Sequence, residues 1–485
     1  MITVVGPKFR FIKMILLVAA VTFSPSCTPF APGPRELSPL DLPQRFTLYT
    51  EDEAGPGQWW EHFGSSELNS IVDRALAENF DIRSAWARLS QARAEAAKAG
   101  ASLYPTLNAR GETARRRAAV RNSGDSDARI TEIDEYTLGL AAGYEVDLWG
   151  RLRANRSALR DESLAAREDV EAALMTVTAE VVNTWIELVG VLQERALLVE
   201  QIELNENLLE LQRSRLENGL ATALDVSQQM ENLASIRAQL PLLDRRVLLT
   251  RNSLTLLTGQ ADSGSIQVTR QELPEPIPLP GTGIPADLLA ARPDVRAAGL
   301  RLQTADWRIA AARADRLPAL NFTAGASFSS TSLDLLFSNW LTTLTASLTG
   351  PVFDAGRRSA EVERTRAVAE QRLAEYAATV ARAVKEVEDG LAGEVKQRQY
   401  LERLKEQLSA ATLAMRQARI RYLNGDSDYL NYLTGIQNVQ RLQRQIVAER
   451  AELLKFRVGL YRALGGEWNP LPSGDFRQVR TAGRD

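Results

Sequence analysis

Residues 136–147 read YTLGLAAGYEVD, an alternating stretch that sets the class of this protein. Apolar side chains occupy every second position from Tyr136 to Val146, and small or polar residues such as Thr137 and Gly139 lie between them. This period of two predicts a β-strand with one apolar face. A strand of about ten residues with a tyrosine near each end of that face is typical of a tilted membrane strand. An ordinary half-buried hairpin has the same alternation and stays the alternative.

Three other segments also alternate, clearly at 319–328, less cleanly at 340–352 and most weakly at 107–113. The four strands together are too few to close a barrel. We predict strands at about 106–114, 136–147, 319–328 and 340–353. A bacterial membrane barrel needs at least about eight strands, and an open sheet would leave unpaired backbone groups in lipid. We therefore expect the chain to share its strands with copies of itself, in a barrel of about eight strands for a dimer or about twelve for a trimer.

The sequence is an internal duplication. Residues 81–108 match residues 294–321 at an offset of 213, and residues 150–259 match residues 356–465 at an offset of 206. A register that stays constant over so long a stretch indicates two copies of one structural unit, which are too few for a solenoid. Because the offset falls from 213 to 206, the first copy carries an insertion, which we place in an exposed, charged loop at residues 115–135.

Each copy contains a helix of unusual length. Residues 151–217 and 357–423 lack proline, and each would extend about 100 Å as a single helix. Asn218-Gly219 and Asn424-Gly425 follow and supply residues that commonly end helices. Return helices are predicted at 224–258 and 429–464. Gly219 and Gly425 are therefore expected at the tips of two antiparallel helical hairpins.

These elements define a mainly α-helical protomer with a membrane β-barrel, and the segments follow in a simple order. We predict a signal peptide at 1–26, a lipidated extended segment at 27–64, a first repeat at 65–259, a proline-rich linker at 260–285, a second repeat at 286–465 and a tail at 466–485.

The amino terminus has the features of an export signal. Lys8, Arg10 and Lys13 precede a nine-residue apolar run at 15–23, which is shorter than the roughly 20 residues that a membrane helix needs. Cys27 follows, with a small residue before it, as in a bacterial lipoprotein signal. We predict cleavage before Cys27 and a covalent lipid on its sulfur. An ordinary cleaved signal with an incidental thiol is the alternative.

Composition excludes several classes of protein. The chain has 485 residues with 58 basic and 61 acidic side chains, so it lacks the excess of positive charge that is typical of nucleic-acid-binding proteins. Cys27 and His62 are the single residues of their types, which excludes an intrachain disulfide and a Cys/His zinc cluster. We expect no metal site, no catalytic residues and no cofactor besides the lipid on Cys27.

Several motifs give the chain a family resemblance. Residues 58–63 read QWWEHF, residues 147–151 read DLWGR and residues 465–468 read GGEW, and Tyr104-Pro105 precedes the first strand. Together with the duplication, they resemble outer membrane factors, the TolC- and OprM-like exit ducts, and above all the NodT-type lipoproteins of RND efflux systems. The resemblance covers about residues 55–470.

The resemblance implies an assembly and a function. Outer membrane factors are homotrimers that share a twelve-stranded barrel in the outer membrane of Gram-negative bacteria and a long periplasmic α-helical barrel. They conduct substrates passively from an inner membrane pump and a periplasmic adaptor. The implied partners are therefore two further copies of this chain, an adaptor, a pump of the RND type and outer membrane lipid.

The resemblance also places the functional site at the hairpin tips. Residues 425–434, GDSDYLNYLT, resemble the family's motif at the closed periplasmic mouth. Leu430 matches a residue that forms an apolar constriction, and Thr434 replaces an aspartate that forms a charged ring in relatives. An apolar ring opposes ions by dewetting, so we expect Leu430 to be the main barrier. The predicted supporting contacts are Asp225, Asp428 and Tyr432.

Two other classes of protein share some of these features. A periplasmic adaptor also has a helical hairpin, but it should carry a β-rich lipoyl-like domain and an amino-terminal membrane anchor, which the sequence does not show. A secreted hydrolase would dissolve without detergent, whereas a membrane duct would need detergent for extraction.

Overall fold

A computed structural model describes residues 29–33, 42–48, 58–120, 129–262, 264, 266–281, 283 and 285–466. The predicted signal peptide, Cys27 and the tail beyond Gly466 lie outside the described residues. The chain divides into two compact units, and each is assembled from separate stretches of sequence. The first unit comprises Met1–Leu37, Ser90–Ala165 and Ala298–Glu375, and the second comprises Ser38–Leu89, Ala166–Ala297 and Tyr376–Asp485.

The first unit contains a four-stranded antiparallel sheet. Its strands follow one another in chain order, β1-β2-β3-β4, so β1 and β4 form its two edges. The strands are β1 Thr106–Val120, β2 Arg129–Val146, β3 Ala319–Ser330 and β4 Trp340–Thr349.

The register of the sheet gathers most of the apolar residues of the four strands on one face. Directly opposite residues lie on the same face of a sheet, and the apolar positions of β2 pair with those of β3, which pair with those of β4. The other face carries small, hydroxyl and charged side chains, including Arg110 and Glu112, and large apolar residues such as Leu341. Many apolar side chains of the sheet are exposed in the protomer, so this face needs an apolar environment. The pairs on the apolar face include Leu138 with Phe328 and Trp340, Tyr144 with Phe322 and Ala346, and Val146 with Leu320 and Leu348.

The expected exposed loop at 115–135 is instead mostly a β-hairpin, and this expectation was wrong. β1 continues to Val120 and β2 begins at Arg129, beyond the predicted bounds of 106–114 and 136–147. Charged residues face each other across the two strands and form ion pairs, which allows this polar sequence to continue the sheet. The pairs are Arg115 with Asp134 at 2.6 Å, Arg116 with Glu135 at 3.2 Å and Arg117 with Glu132 at 3.1 Å.

The hairpin of β3 and β4 has strand ends that differ from the predicted ones. β3 extends two residues further, to Ser330, and β4 ends at Thr349 rather than 353. Gly350 and Pro351 follow Thr349, and proline supplies no backbone N–H for a ladder hydrogen bond. The strand therefore stops before Val352.

Nine α-helices occur among the described residues, and two of them are far longer than the rest. Both long helices, α3 and α8, contain 67 residues, or about 100 Å at 1.5 Å per residue. In order, the helices are α1 Ser66–Glu78, α2 Phe80–Ala101, α3 Arg151–Glu217, α4 Ala223–Arg237, α5 Leu240–Leu257, α6 Leu288–Ala291, α7 Pro293–Ala314, α8 Arg357–Leu423 and α9 Tyr429–Ala463.

The first return helix, predicted as one element at 224–258, is two helices. α4 ends at Arg237 and α5 begins at Leu240, next to Pro241 in its first turn. A proline ring removes a backbone donor and favours the start of a new helix over continuation. The second return helix, α9, has no proline and is continuous. The helical segment before the strands is also divided in each repeat, into α1 and α2 at Asn79 and into α6 and α7 at Arg292.

The duplication extends to single hydrogen bonds in the second unit. Asn79 Nδ2 donates to the Leu257 carbonyl at 2.9 Å, and Arg292 Nη1 donates to the Ala463 carbonyl at 2.9 Å. Arg292 is the counterpart of Asn79 at the offset of 213, and Ala463 is the counterpart of Leu257 at the offset of 206. Two unlike side chains therefore make the same connection in the two repeats.

Two equivalent glycines allow these corners to form. Gly259 has φ +70°, and a Cβ added there would lie 2.3 Å from the Glu78 carbonyl oxygen. Gly465 has φ +96°, and its Cβ would lie 2.9 Å from the Ala291 carbonyl oxygen. Both positions combine a left-handed backbone with close backbone approach, so both require glycine.

Only α3, among the described helices, is long and apolar enough in part to cross a membrane. Of its apolar window, 72% is buried inside the protein. In the second unit Trp185, Ile186 and Val189 of this helix are fully buried, and the Trp185 ring lies 6.4 Å from that of Phe63. α3 therefore has the burial of a core helix.

Candidate functional site at the helical hairpin tips

The tip between α3 and α4 is closed by backbone hydrogen bonds around a glycine. Gly219 has φ +70°, and the N–H of Leu220 donates to the carbonyl of Arg215 at 2.7 Å. The guanidinium of Arg215 returns a bond to the Leu220 carbonyl at 3.2 Å. This left-handed ending satisfies carbonyls that the helix leaves free, as the Asn-Gly sequence predicted.

The tip between α8 and α9 repeats this geometry. Gly425 has φ +82°, and the N–H of Asp426 donates to the carbonyl of Arg421 at 2.8 Å. Arg421 and Asp426 are the counterparts of Arg215 and Leu220 at the offset of 206. The two predicted tip glycines therefore occupy equivalent turns.

Asp225 belongs to a capping box at the start of α4. The N–H of Thr222 donates to Asp225 Oδ2 at 2.8 Å, and the N–H of Asp225 donates to Thr222 Oγ1 at 3.2 Å. The pair satisfies two backbone donors at the helix terminus. Sequence reasoning assigned Asp225 to contacts at the closed mouth, and that role stays a prediction.

Leu430 and Thr434 lie one turn apart on an exposed face of α9. The Leu430 side chain is 52% exposed, although it is apolar. The hydroxyl of Thr434 donates to the Leu430 carbonyl at 2.8 Å, and Thr434 is exposed as well. The protomer therefore leaves this apolar side chain largely exposed.

Asp428 and Tyr432 flank this face but have different surroundings. Asp428 is the N-cap of α9, its side chain makes no capping hydrogen bond, and it is exposed. Tyr432 is half-buried, and its ring lies 6.3 Å from that of Tyr422 and 6.2 Å from that of Tyr429. Tyr432 therefore packs behind the exposed face that carries Leu430.

Two buried tyrosine–glutamine pairs join the hairpins, and the sequence did not reveal them. The hydroxyl of Tyr422 donates to Gln212 Oε1 at 2.8 Å, and the hydroxyl of Tyr429 donates to Gln229 Oε1 at 2.7 Å. Burial raises the pKa of the Tyr429 phenol above its ordinary value, so this group stays a hydrogen-bond donor throughout the neutral range. The pairs hold the second tip against the first.

Amide side chains continue this connection further from the tips. Asn205 is fully buried, and its Oδ1 accepts hydrogen bonds from Asn232 at 2.8 Å and Gln229 at 3.2 Å. Gln201 donates to the Gln440 carbonyl at 3.2 Å. The contact between the hairpins is therefore polar over much of its length. Buried amides of this kind could not be distinguished from solvated ones by helical periodicity.

Acidic and histidine side chains do not gather into a metal site in the part of the chain that the structure describes. The tips contain carboxylates at Asp225, Asp426 and Asp428 but no cluster of three ligands.

A protomer with a membrane sheet, two 67-residue helices and paired hairpin tips defines an outer membrane channel. The chain belongs to the outer membrane efflux protein family, whose sequence pattern matches residues 71–260 and 284–466. It is 34% identical to the pyoverdine export outer membrane protein OpmQ of Pseudomonas aeruginosa, over 85% of this chain and 87% of that protein. It is 30% identical to the toluene efflux pump outer membrane protein TtgF of Pseudomonas putida, over 86% of each chain. The solved structure of the outer-membrane channel OprN superposes with a TM-score of 0.82 at 26% identity, over 91% of this chain and 99% of that chain.

These similarities confirm the family resemblance and the predicted fold class of trimeric outer membrane channels. The protein is an outer membrane efflux channel of a Gram-negative bacterium and provides an exit duct across that membrane. Its family and relatives are channel proteins.

Proposed function

We propose that three copies of this chain form one continuous duct. β1 and β4 are edges of the sheet, and all of β4 is exposed in the protomer. Unpaired backbone groups cost several kcal/mol each in lipid, so β4 of one copy pairs with β1 of the next until about twelve strands close. The apolar residues are odd-numbered in β1, as at Leu107, and even-numbered in β4, as at Leu348. In the pairing of β4 with β1 of the next copy, odd-numbered residues of β1 therefore lie opposite even-numbered residues of β4. This register keeps the apolar residues of both strands on the same face.

The proposed gate of the duct is a ring of three Leu430 side chains at the periplasmic mouth. The observation that carries it is a 52% exposed leucine on α9, one turn beyond Gly425. Three such residues around an axis form a narrow apolar ring that resists wetting and ion passage. Asp428 and Tyr432 flank the ring, and Asp225 caps α4 at the first tip. Thr434 adds no charge one turn beyond Leu430, where the family resemblance implies an aspartate.

The proposed partners are a periplasmic adaptor and an inner membrane pump of the RND type. Relatives are named as outer membrane proteins of efflux pumps for toluene and antibiotics, and another exports pyoverdine. Such different cargo in one family supports a tube whose selectivity resides in the pump. We accordingly assign this chain no chemical step and no cofactor other than lipid.

We expect the detergent-extracted protein to be a trimer. Its protein mass should be about 150 kDa, because each of the three copies is the 53.5 kDa chain without its predicted signal peptide. Native mass spectrometry provides the measurement, and crosslinking in cells that express a periplasmic adaptor of an RND efflux system should add that adaptor to the trimer. A stable monomer in mild detergent would contradict the shared barrel. A trimer that never crosslinks to the adaptor would contradict the proposed partner.

The proposed lipid on Cys27 has a direct test. Cys27→Ser should abolish labelling by a radioactive fatty acid, because the chain contains no other cysteine. Ser26→Ala keeps a small residue before the cysteine and should retain the label. The strands are unaffected, so outer membrane insertion should persist. Labelling that survives in the Cys27→Ser protein would show that the lipid, if any, lies elsewhere.

A further inference from the structure

A polar groove lies between α3 and α9 within the second unit. It encloses a cavity of about 280 Å³, which α3 lines with Glu180, Asn183 and Glu187 and α9 lines with Lys455 and Arg462. Seven of the eight residues that line the cavity are polar or charged, so it suits a hydrophilic molecule. The carboxylates all come from α3 and the cations all come from α9.

Two contacts give the register of the helices along the groove. Glu187 and Lys455 form an ion pair at 3.8 Å, and a Cβ added to Gly190 would lie 3.3 Å from the Cβ of Ala451. Residue numbers rise on α3 as they fall on α9, so the two helices run antiparallel. The same register places position 180 of α3 opposite position 462 of α9.

Glu180 and Arg462 face each other across this groove without forming an ion pair. Both line the cavity, about 10 Å along the helices from the pair of Glu187 with Lys455. Neither side chain makes an ion pair or a hydrogen bond with any residue that the structure describes. The groove therefore has one closed pair of charges at one level and one open pair at the next.

An unused hydrogen-bond acceptor lies beside the open pair. Asn183 is one turn along α3 from Glu180, and its Oδ1 atom is buried but accepts no hydrogen bond from the described part of the chain. A buried acceptor without a donor costs free energy, which a ligand N–H or O–H in the cavity would recover.

The groove opens on the side of the helices that is left uncovered. Residues 59–67 cover Trp185 of α3 and Tyr461 of α9. At 3.6 residues per turn, Glu180 lies about 140° around α3 from Trp185, and Arg462 lies about 100° around α9 from Tyr461. Three copies of the covering segment would obstruct the passage of a duct if they lay inside it. In the proposed duct the segment therefore lies outside, and the groove opens toward the lumen.

The second copy of the structural unit shows that the fold does not need these cations. At the offset of 206, the equivalents of Lys455 and Arg462 are Leu249 and Leu256, which are 57% and 64% exposed. A return helix thus forms with leucine at both positions. The charges on α9 are accordingly available to a ligand.

We propose that this groove is a transient binding site for zwitterionic cargo in the lumen, an inference that rests on the proposed duct of three copies. The guanidinium of Arg462 donates two parallel hydrogen bonds to a carboxylate of the cargo. Glu180 accepts from its ammonium group, and Asn183 Oδ1 accepts a further hydrogen bond. Binding is weak, because a site in a conducting passage must also release what it binds.

Two penicillins provide matched probes for the site. Ampicillin carries a carboxylate and an ammonium group, whereas benzylpenicillin has the same skeleton without the ammonium. Saturation-transfer NMR on the detergent-extracted protein gives a Kd for each, with empty detergent micelles as the background. We expect ampicillin to bind about tenfold more tightly than benzylpenicillin, because only ampicillin engages Glu180 as well as Arg462.

Substitutions in the open pair test the residues themselves. Glu180→Gln and Arg462→Gln keep the side-chain size and should each weaken ampicillin binding about tenfold. The double variant Glu180→Arg with Arg462→Glu exchanges the charges, so it should restore binding to a zwitterion that reverses its orientation. The matched control is Arg416→Gln, because Arg416 is an exposed arginine of α8 outside the groove and its loss should leave the affinity unchanged.

The mass of the protein in detergent separates failure of the site from failure of the duct. Selective ampicillin binding to a trimer, lost in both single variants and restored by the exchange, supports the site. Equal affinities of a trimer for the two penicillins overturn it. So does an Arg462→Gln effect no larger than that of Arg416→Gln, or an exchanged trimer that does not recover. A monomeric mass instead contradicts the proposed assembly.

Discussion

Leu430→Ser is expected to raise the resting conductance of the channel about threefold or more. A ring of three leucines repels water, and three serine hydroxyls in the same place would hydrate the passage. Single-channel recording in planar bilayers gives the measurement. Leu211→Ser is the matched control, because Leu211 has a similar exposed fraction, 50% against 52%, but lies on α3 two turns before the first tip.

A substitution at the neighbouring Thr434 gives a second test of whether this part of α9 lines the pore. Thr434→Asp adds three carboxylates one turn beyond Leu430, so it should shift the reversal potential toward cation selectivity in a salt gradient. Wild-type conductance in the Leu430→Ser channel would place the constriction elsewhere. Unchanged selectivity in the Thr434→Asp channel would show that this position does not line the pore.

Gly259→Ala is expected to destabilise the second unit by about 3–5 kcal/mol, which combines left-handed backbone strain with a steric clash. Gly259 has φ +70°, and the new Cβ would lie 2.3 Å from the Glu78 carbonyl oxygen. That oxygen belongs to the backbone, so it cannot move away by a change of rotamer. We expect little assembled channel in the outer membrane and a much lower unfolding temperature of the purified protein.

Gly219→Ala is a close control for this substitution. Gly219 has the same φ of +70°, but nothing lies within 4 Å of its added Cβ. The control therefore retains only the backbone strain, about 1–2 kcal/mol. Circular dichroism gives the unfolding temperature of each variant. The difference between the two temperatures reports the contribution of the steric clash. Equal unfolding temperatures would show that the backbone at Glu78 can shift to accommodate the new Cβ. Glycine would then be needed at position 259 for its backbone conformation alone.

The sequence predicted those features that depend on neighbouring residues. Alternation from Tyr136 to Val146 predicted a strand because successive side chains of a strand point to opposite faces. Asn-Gly pairs located both hairpin tips because glycine adopts the left-handed conformation at little cost. The constant offset of 206 gave the duplication, since equal units keep equal spacing.

Local patterns failed where partners come from elsewhere in the chain. The charged composition of residues 115–135 predicted a solvated loop, but Arg115, Arg116 and Arg117 form ion pairs with acidic residues on the facing strand. The sequence contained all of these charges, but not the register that pairs them. Sheet register depends on contacts across the whole hairpin, so composition alone gave the wrong result.

The candidate functional site at the hairpin tips was also predicted only in part from the sequence. The sequence and its family resemblance selected Leu430, Thr434 and the tip glycines. The pairing of Tyr422 with Gln212 and of Tyr429 with Gln229 came only from tertiary structure. A glutamine on a long helix is solvated or buried according to which helix packs against it, and that choice is made by contacts some 200 residues apart. Local sequence therefore determined which elements form and where the long helices end, while the packing of one repeat on the other decided which polar side chains lie inside.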